Sequence, residues 1–96
     1  MIKEIIHNHV TKCLEHLGFS HDKEYTVEIP NNIEHGDFST NCAMILAKEN
    51  KKAPKVLAEA LIKELKKNKD YKKVEIAGPG FINFHLSPAF FQRIFW

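Results

Sequence analysis

Arginine is nearly missing from this chain. Arg93 is the single arginine among fourteen basic residues, and the rest are lysine. Lysine meets phosphate as a mobile point charge, without the bidentate fork of arginine. That composition suits contact with a nucleic-acid backbone better than reading of base edges. Cysteine is also scarce. Cys13 and Cys42 have no CxxC spacing and no disulfide-framework density, so free thiols in a reducing compartment are expected. The four glycines form neither a P-loop nor a GxGxxG turn, which leaves no support for an ATP cradle within these residues. No run approaches the roughly 18 apolar residues of a membrane span. The opening "MIKEIIHNHV" breaks its short apolar stretch with charge, unlike a leader. A cytoplasmic chain without a membrane partner is expected.

What is present suits one globular domain. Ninety-six residues are too few for two cores but can bury about 60% of the unfolded surface, enough for one. Charge is unevenly placed. Residues 1–47 hold three lysines against seven acids, whereas residues 48–73 hold ten lysines against four acids. Such polarity points to an anionic partner on one side.

Hydrophobic spacing predicts the elements. Ile2, Ile6, Val10, Cys13, Leu14 and Leu17 share one helical face, and Gly18 stops that helix. "EYTVEI" (24–29) alternates as a half-buried strand with Tyr25, Val27 and Ile29 inward. "GDFS" (36–39) is a short strand or turn, and Ser39 or Thr40 can cap the buried helix "NCAMILAKE". Pro54 opens another helix, in the first turn where its missing N–H costs nothing. Leu57, Leu61 and Leu65 give that helix its buried stripe. "KKVEIAGPGFINFHL" is strand, Gly-Pro-Gly link, strand. Val74 and Ile76 face the core, and Ile82, Phe84 and Leu86 alternate with Phe81, Asn83 and His85. The order is α-β-β-α-β-β. It predicts a two-layer α+β domain with a small four-stranded antiparallel sheet and helices on one face. Ser87-Pro88 starts a last helical stretch, "AFFQRIFW". Its apolar rings suggest a piece cut from a longer chain whose missing segment covers them; the alternative is a tail folded back on its own core.

Three chemistries compete. His9, Cys13 and His16 lie at i, i+4 and i+7, a spacing that suits zinc, though Cys13 also sits mid-stripe as a buried thiol would. His35 and Asp37 could pair near Cys42 as a catalytic group, or Asp37 could only support a turn and helix start. "HGDFSTN" (35–41) could also contact looped RNA. His35 and Phe38 would stack on bases, Ser39 and Asn41 would meet base edges, and the lysines that follow would hold phosphates. Against this, Phe38 could be core and the lysines a solvated face.

Two stretches carry a resemblance. "HGDFSTNCAMILAKENKKAPKVLAEAL" resembles the glycine-aspartate-aromatic segment and following helices of the N-terminal additional domain of bacterial arginyl-tRNA synthetases. "VEIAGPGFINFHLS" is similar to the closing hairpin of that domain and is the more specific of the two. The resemblance implies an accessory domain, residues 1–87, that contacts the D-loop at the outer corner of tRNA(Arg). Residues 88–96 would begin the link to a catalytic domain of the same parent chain. It implies tRNA contacts from His35, Phe38, Ser39, Asn41, Lys51, Lys52 and Lys55, with Phe81 and Asn83 as further candidates. Ser39 stands where that family often has glutamine. No catalytic residue, metal or cofactor is expected in this stretch; ATP and Mg2+ would belong to the parent enzyme, an arginine–tRNA ligase. A monomer is expected. The competing reading is a docking module that uses its apolar C-terminal tail and touches no RNA.

Overall fold

The computed structural model describes residues 1–95. In chain order it has α1 (Ile2–His16), β1 (Val27–Glu28), a 3-10 turn (Ile33–His35), β2 (Phe38–Thr40), α2 (Cys42–Leu46), α3 (Pro54–Leu65), β3 (Tyr71–Ala77), β4 (Phe81–Leu86) and α4 (Pro88–Phe95). The four strands form one antiparallel sheet in the order β1-β2-β4-β3. The helical layer lies on one face of it, as the periodicity predicts.

The core is where the sequence stripes meet. Ile6, Val10 and Leu14 of α1 are fully buried, as are Leu57, Ala58 and Leu61 of α3. From the sheet they meet Val27, Val74, Ile82, Phe84 and Leu86. A buried Leu or Phe contributes about 1.5–3 kcal/mol relative to exposure, so these stripes dominate the fold's stability. At the end of α1, the N–H groups of Leu17, Gly18 and Phe19 donate back to Cys13, Glu15 and Leu14. Gly18 takes the positive φ of 78° that ends the helix.

Three expectations change. β1 is shorter than 24–29: Tyr25 and Val27 are buried, but Ile29 is 65% exposed. This strand is the sheet's edge and pairs only through Val27 and Glu28 before Pro30 turns the chain away. α2 stops at Leu46 rather than running to 49, and a turn carries the chain to Lys51, whose φ is 54°. Finally, the C-terminal stretch folds back. Phe90 is fully buried and Ile94 packs on the same core, while Phe91 stays exposed. Arg93 grips Asp70 through Nε and Nη2, and Ser87 donates its N–H to the Asp70 carbonyl at 2.8 Å. The expected end of the tail at Trp96 lies outside the described residues.

A candidate nucleic-acid interface on the open sheet face

Strand parity sorts the side chains. β2 pairs with β4 through Phe38–Phe84, Ser39–Asn83 and Thr40–Ile82. Phe84 and Ile82 are fully buried under the helices, so Phe38 and Thr40 share their face. Ser39 and Asn83 point the other way, in register with Glu28 on β1 and Glu75 on β3.

Phe38 is therefore misplaced as a reader of bases. Its ring is half-buried and packs against the core cluster. The outward aromatic is Phe81, 40% exposed, at the start of β4. Sequence alternation already set Phe81 and Asn83 opposite Ile82 and Phe84. The stretch 36–39 is too short for its own parity to be legible in the sequence.

The open face carries a groove of about 500 Å³. It gathers His35, Ser39, Asn41, Phe81 and Asn83, five of the nine predicted contacts. Ile29, Pro30 and Pro79 add apolar wall, and Thr26 and Glu28 add polar rim. Ile29 escaped sequence reasoning because its alternation with Val27 marks it as core. Only the early exit of β1 frees it.

Local chemistry holds these residues in place. Gly36 has φ of 97°, and a Cβ there would lie 2.6 Å from the Phe84 carbonyl oxygen. Only glycine fits that close approach of β2 to β4. Asp37 extends the pairing. Its N–H donates to the Phe84 carbonyl at 2.9 Å, and its carboxylate accepts the Leu86 N–H at 2.8 Å. Its role is thus the supporting one. Asn41 accepts the Thr26 N–H through Oδ1 at 2.9 Å, which pins β1 beside β2. The Thr40 hydroxyl donates to the Thr26 carbonyl and accepts the Cys42 N–H, so Thr40 supports the start of α2. At the other rim, a Cβ on Gly80 would meet the Pro54 side chain at 2.9 Å. The hairpin tip thus rests on the beginning of α3.

Asn83 is the unusual member. It is 2% exposed, yet among the described residues its side-chain amide has no hydrogen-bond partner. That amide is not sealed from solvent: among the described residues the one enclosed side-chain polar atom without a hydrogen-bond partner is His85 Nε2. The Asn83 amide is therefore open to pairing with a ligand edge from the groove.

The groove's charge narrows its ligand. Among the described residues no lysine lines it, and Glu28 is its one carboxylate. Lys51, Lys52 and Lys55 all lie outside it; the Lys52 ammonium instead sits 5.7 Å over the Phe19 ring. An apolar wall, an exposed ring and an unengaged amide suit a planar heterocycle rather than a phosphate.

The other chemistries fare differently. The Cys42 thiol is pushed up to about 12 by burial, so it stays protonated near neutral pH. His9 is engaged through Nδ1 with the Tyr71 hydroxyl at 2.6 Å, and His16 lies 4.0 Å from Glu64. Among the described residues no three His, Cys, Asp or Glu side chains converge in a way that could hold a metal ion. Among the described residues no helix is long and apolar enough to cross a membrane.

Comparison with known proteins gives a consistent result. The family described as "Arginyl tRNA synthetase N terminal domain" matches residues 2–86. The arginine–tRNA ligase of Chlorobaculum tepidum is 48% identical over 85 residues, covering 88% of this chain and 15% of that protein. That of Listeria welshimeri is 54% identical over 72 residues, covering 74% of this chain and 13% of that protein. Among solved structures, the arginyl-tRNA synthetase of Thermus thermophilus shares the fold with a TM-score of 0.74 at 21% identity. The match covers 98% of this chain and 15% of that one. The chain thus spans about one seventh of the relatives it matches.

Proposed function

Because the chain belongs to the arginyl-tRNA synthetase N-terminal domain family, we propose that it is a tRNA-binding accessory domain whose open sheet face receives an unpaired nucleotide. The nucleotide would come from the D-loop of tRNA(Arg), at the outer corner of the molecule. The observation that supports this reading is the amide of Asn83, unengaged by the described residues, lining the groove beside the exposed Phe81 ring. Phe81 stacks on the base, Asn83 meets its edge, and Ser39, Asn41 and His35 complete the rim. Phe38 supports the floor from the core side.

The mechanism is positioning. A nucleotide seated here fixes one corner of the tRNA while the acceptor end reaches a catalytic domain in the same parent chain. That parent is an arginine–tRNA ligase acting in the cytoplasm as a monomer. Its catalytic domain, not these residues, would hold ATP and Mg2+. Residues 88–95 would begin the connection, with the Arg93–Asp70 grip setting the angle at which α4 departs.

Binding tests this directly. Titration of arginine-accepting tRNA into the chain should show saturable binding. Phe81→Ala should weaken it roughly 5- to 150-fold, the range of about 1–3 kcal/mol per stacked base. Asn83→Ala should weaken it as well. Unchanged affinity in both variants, with intact folding by circular dichroism, sinks the assignment.

A further inference from the structure

The base groove leaves the phosphates unaccounted for, because no lysine lines it. A second groove, about 530 Å³, runs along the outer edge of the sheet and is lined by Lys66, Tyr71, Lys72, Lys73, Val74 and Glu75. β3 is the edge strand there. We propose that this edge and the adjoining end of α3 hold the phosphate backbone of the same RNA, with Lys66, Lys72 and Lys73 as its cations; the proposal rests on the RNA-binding reading above.

The lysines are placed by a break in strand register. Tyr71 pairs with Leu86 and Lys73 with His85, so Lys72 is an extra residue between them. Tyr71 and Val74 are both buried, three residues apart, and regular alternation would not allow that. The inserted residue leaves two consecutive lysines exposed at the edge. Lys66 joins them from the end of α3.

Local acids offset only the share of this charge that Lys73 supplies. Glu64 is taken by Lys67 at 3.0 Å, and Asp70 is held by Arg93. Glu75, the one carboxylate lining the groove, pairs with Lys73 at 3.2 Å. Among the described residues Lys63, Lys66, Lys69 and Lys72 have no carboxylate partner.

The two grooves adjoin. Glu75 lines the basic one and pairs across the sheet with Asn83, which lines the base groove. Ala77, opposite Phe81, borders the base groove four residues from Lys73. At about 3.3 Å per strand residue this is roughly 13 Å. One nucleotide strand can therefore seat a base at Phe81 and pass its backbone along the lysines. Lys51, Lys52 and Lys55 line neither groove.

Salt dependence separates the possibilities. Affinity of the chain for arginine-accepting tRNA is measured from about 50 to 200 mM salt, where the slope of log K against log salt counts phosphate contacts. Lys66→Gln/Lys72→Gln should flatten the slope by about one to two and lower affinity at low salt several-fold. Lys12→Gln/Lys23→Gln, which removes equal charge elsewhere, should move the slope less than half as much. Asn83→Ala should lower affinity at every salt concentration with the slope retained. A wild-type slope in Lys66→Gln/Lys72→Gln overturns the proposal and leaves these lysines as guards against edge-to-edge strand pairing. So does a larger effect from Lys51→Gln/Lys55→Gln. If Asn83→Ala binds normally while the Lys66/Lys72 pair flattens the slope, the base groove fails and the basic edge stands. If the unaltered chain does not bind tRNA, both readings fall.

Discussion

Phe38 and Phe81, both offered by the sequence as contacts, end on opposite faces of the sheet. Both are aromatic, both follow a glycine turn, and both start strands. What divides them is parity: Phe38 is paired with buried Phe84, whereas Phe81 precedes buried Ile82. That distinction was legible for Phe81, because six alternating residues follow the Gly-Pro-Gly link. It was not legible for Phe38, because three strand residues give too few apolar positions to set a face. A test follows at this scale. Phe38→Ala should cost about 2 kcal/mol in chemical denaturation, less than the 3–5 of a fully buried ring because Phe38 is half-buried. Its tRNA affinity, corrected for folded fraction, should match wild type. A binding loss without a stability loss would return Phe38 to the interface.

At the level of elements, the β3–β4 hairpin and the two long helices, α1 and α3, follow from spacing alone. The misread elements were those whose ends are set by tertiary contacts. β1 ends early because only one neighbour pairs with it, and α2 ends early at a tight turn around Lys51. α4 shows the same limit. Its apolar rings suggested an uncovered surface, but Phe90 completes the domain's own core. The Arg93–Asp70 pair then fastens the helix from outside, with Asp70 itself 6% exposed. Removing the guanidinium leaves a buried carboxylate without its cation, which is destabilising. Arg93→Gln should therefore speed amide hydrogen exchange across 88–95 while α1 and α3 keep their protection. Uniform speeding throughout the chain would show instead that α4 and the core open together.

The whole molecule has a radius of gyration of 12.6 Å, close to the roughly 12.5 Å expected for a compact chain of this length. Compactness couples distant charges. His9 of α1 meets Tyr71 of β3, with Arg93 of α4, Asp70 and Lys12 close enough to act on it. Burial first, then Arg93 and Lys12, hold its pKa below the usual 6.5, against an opposing pull from Asp70. Below pH 6.5 the unfolded chain thus binds a proton that the folded chain resists. Stability is full above that pH and declines as pH falls through the window beneath it. Urea midpoints measured from pH 7.5 to 5.0 should fall, and His9→Gln should flatten the fall. Parallel curves would place the sensitivity in other groups. The sequence made the charge imbalance of residues 48–73 visible, but not its address. Which lysines border the open sheet face depends on how α3 and β3 fold back beside it, and no local pattern encodes that.

β4 lies inside the sheet, between β2 and β3, with one face under the helices and the other open. Its odd and even residues therefore answer to different masters. On the proposed reading, Ile82, Phe84 and Leu86 are kept by the need to fold, and Phe81 and Asn83 by the need to recognise. A descendant that abandoned its RNA would keep the first set and let the second drift. Loss of function in this lineage would be written as decay at every other letter of a single six-residue word.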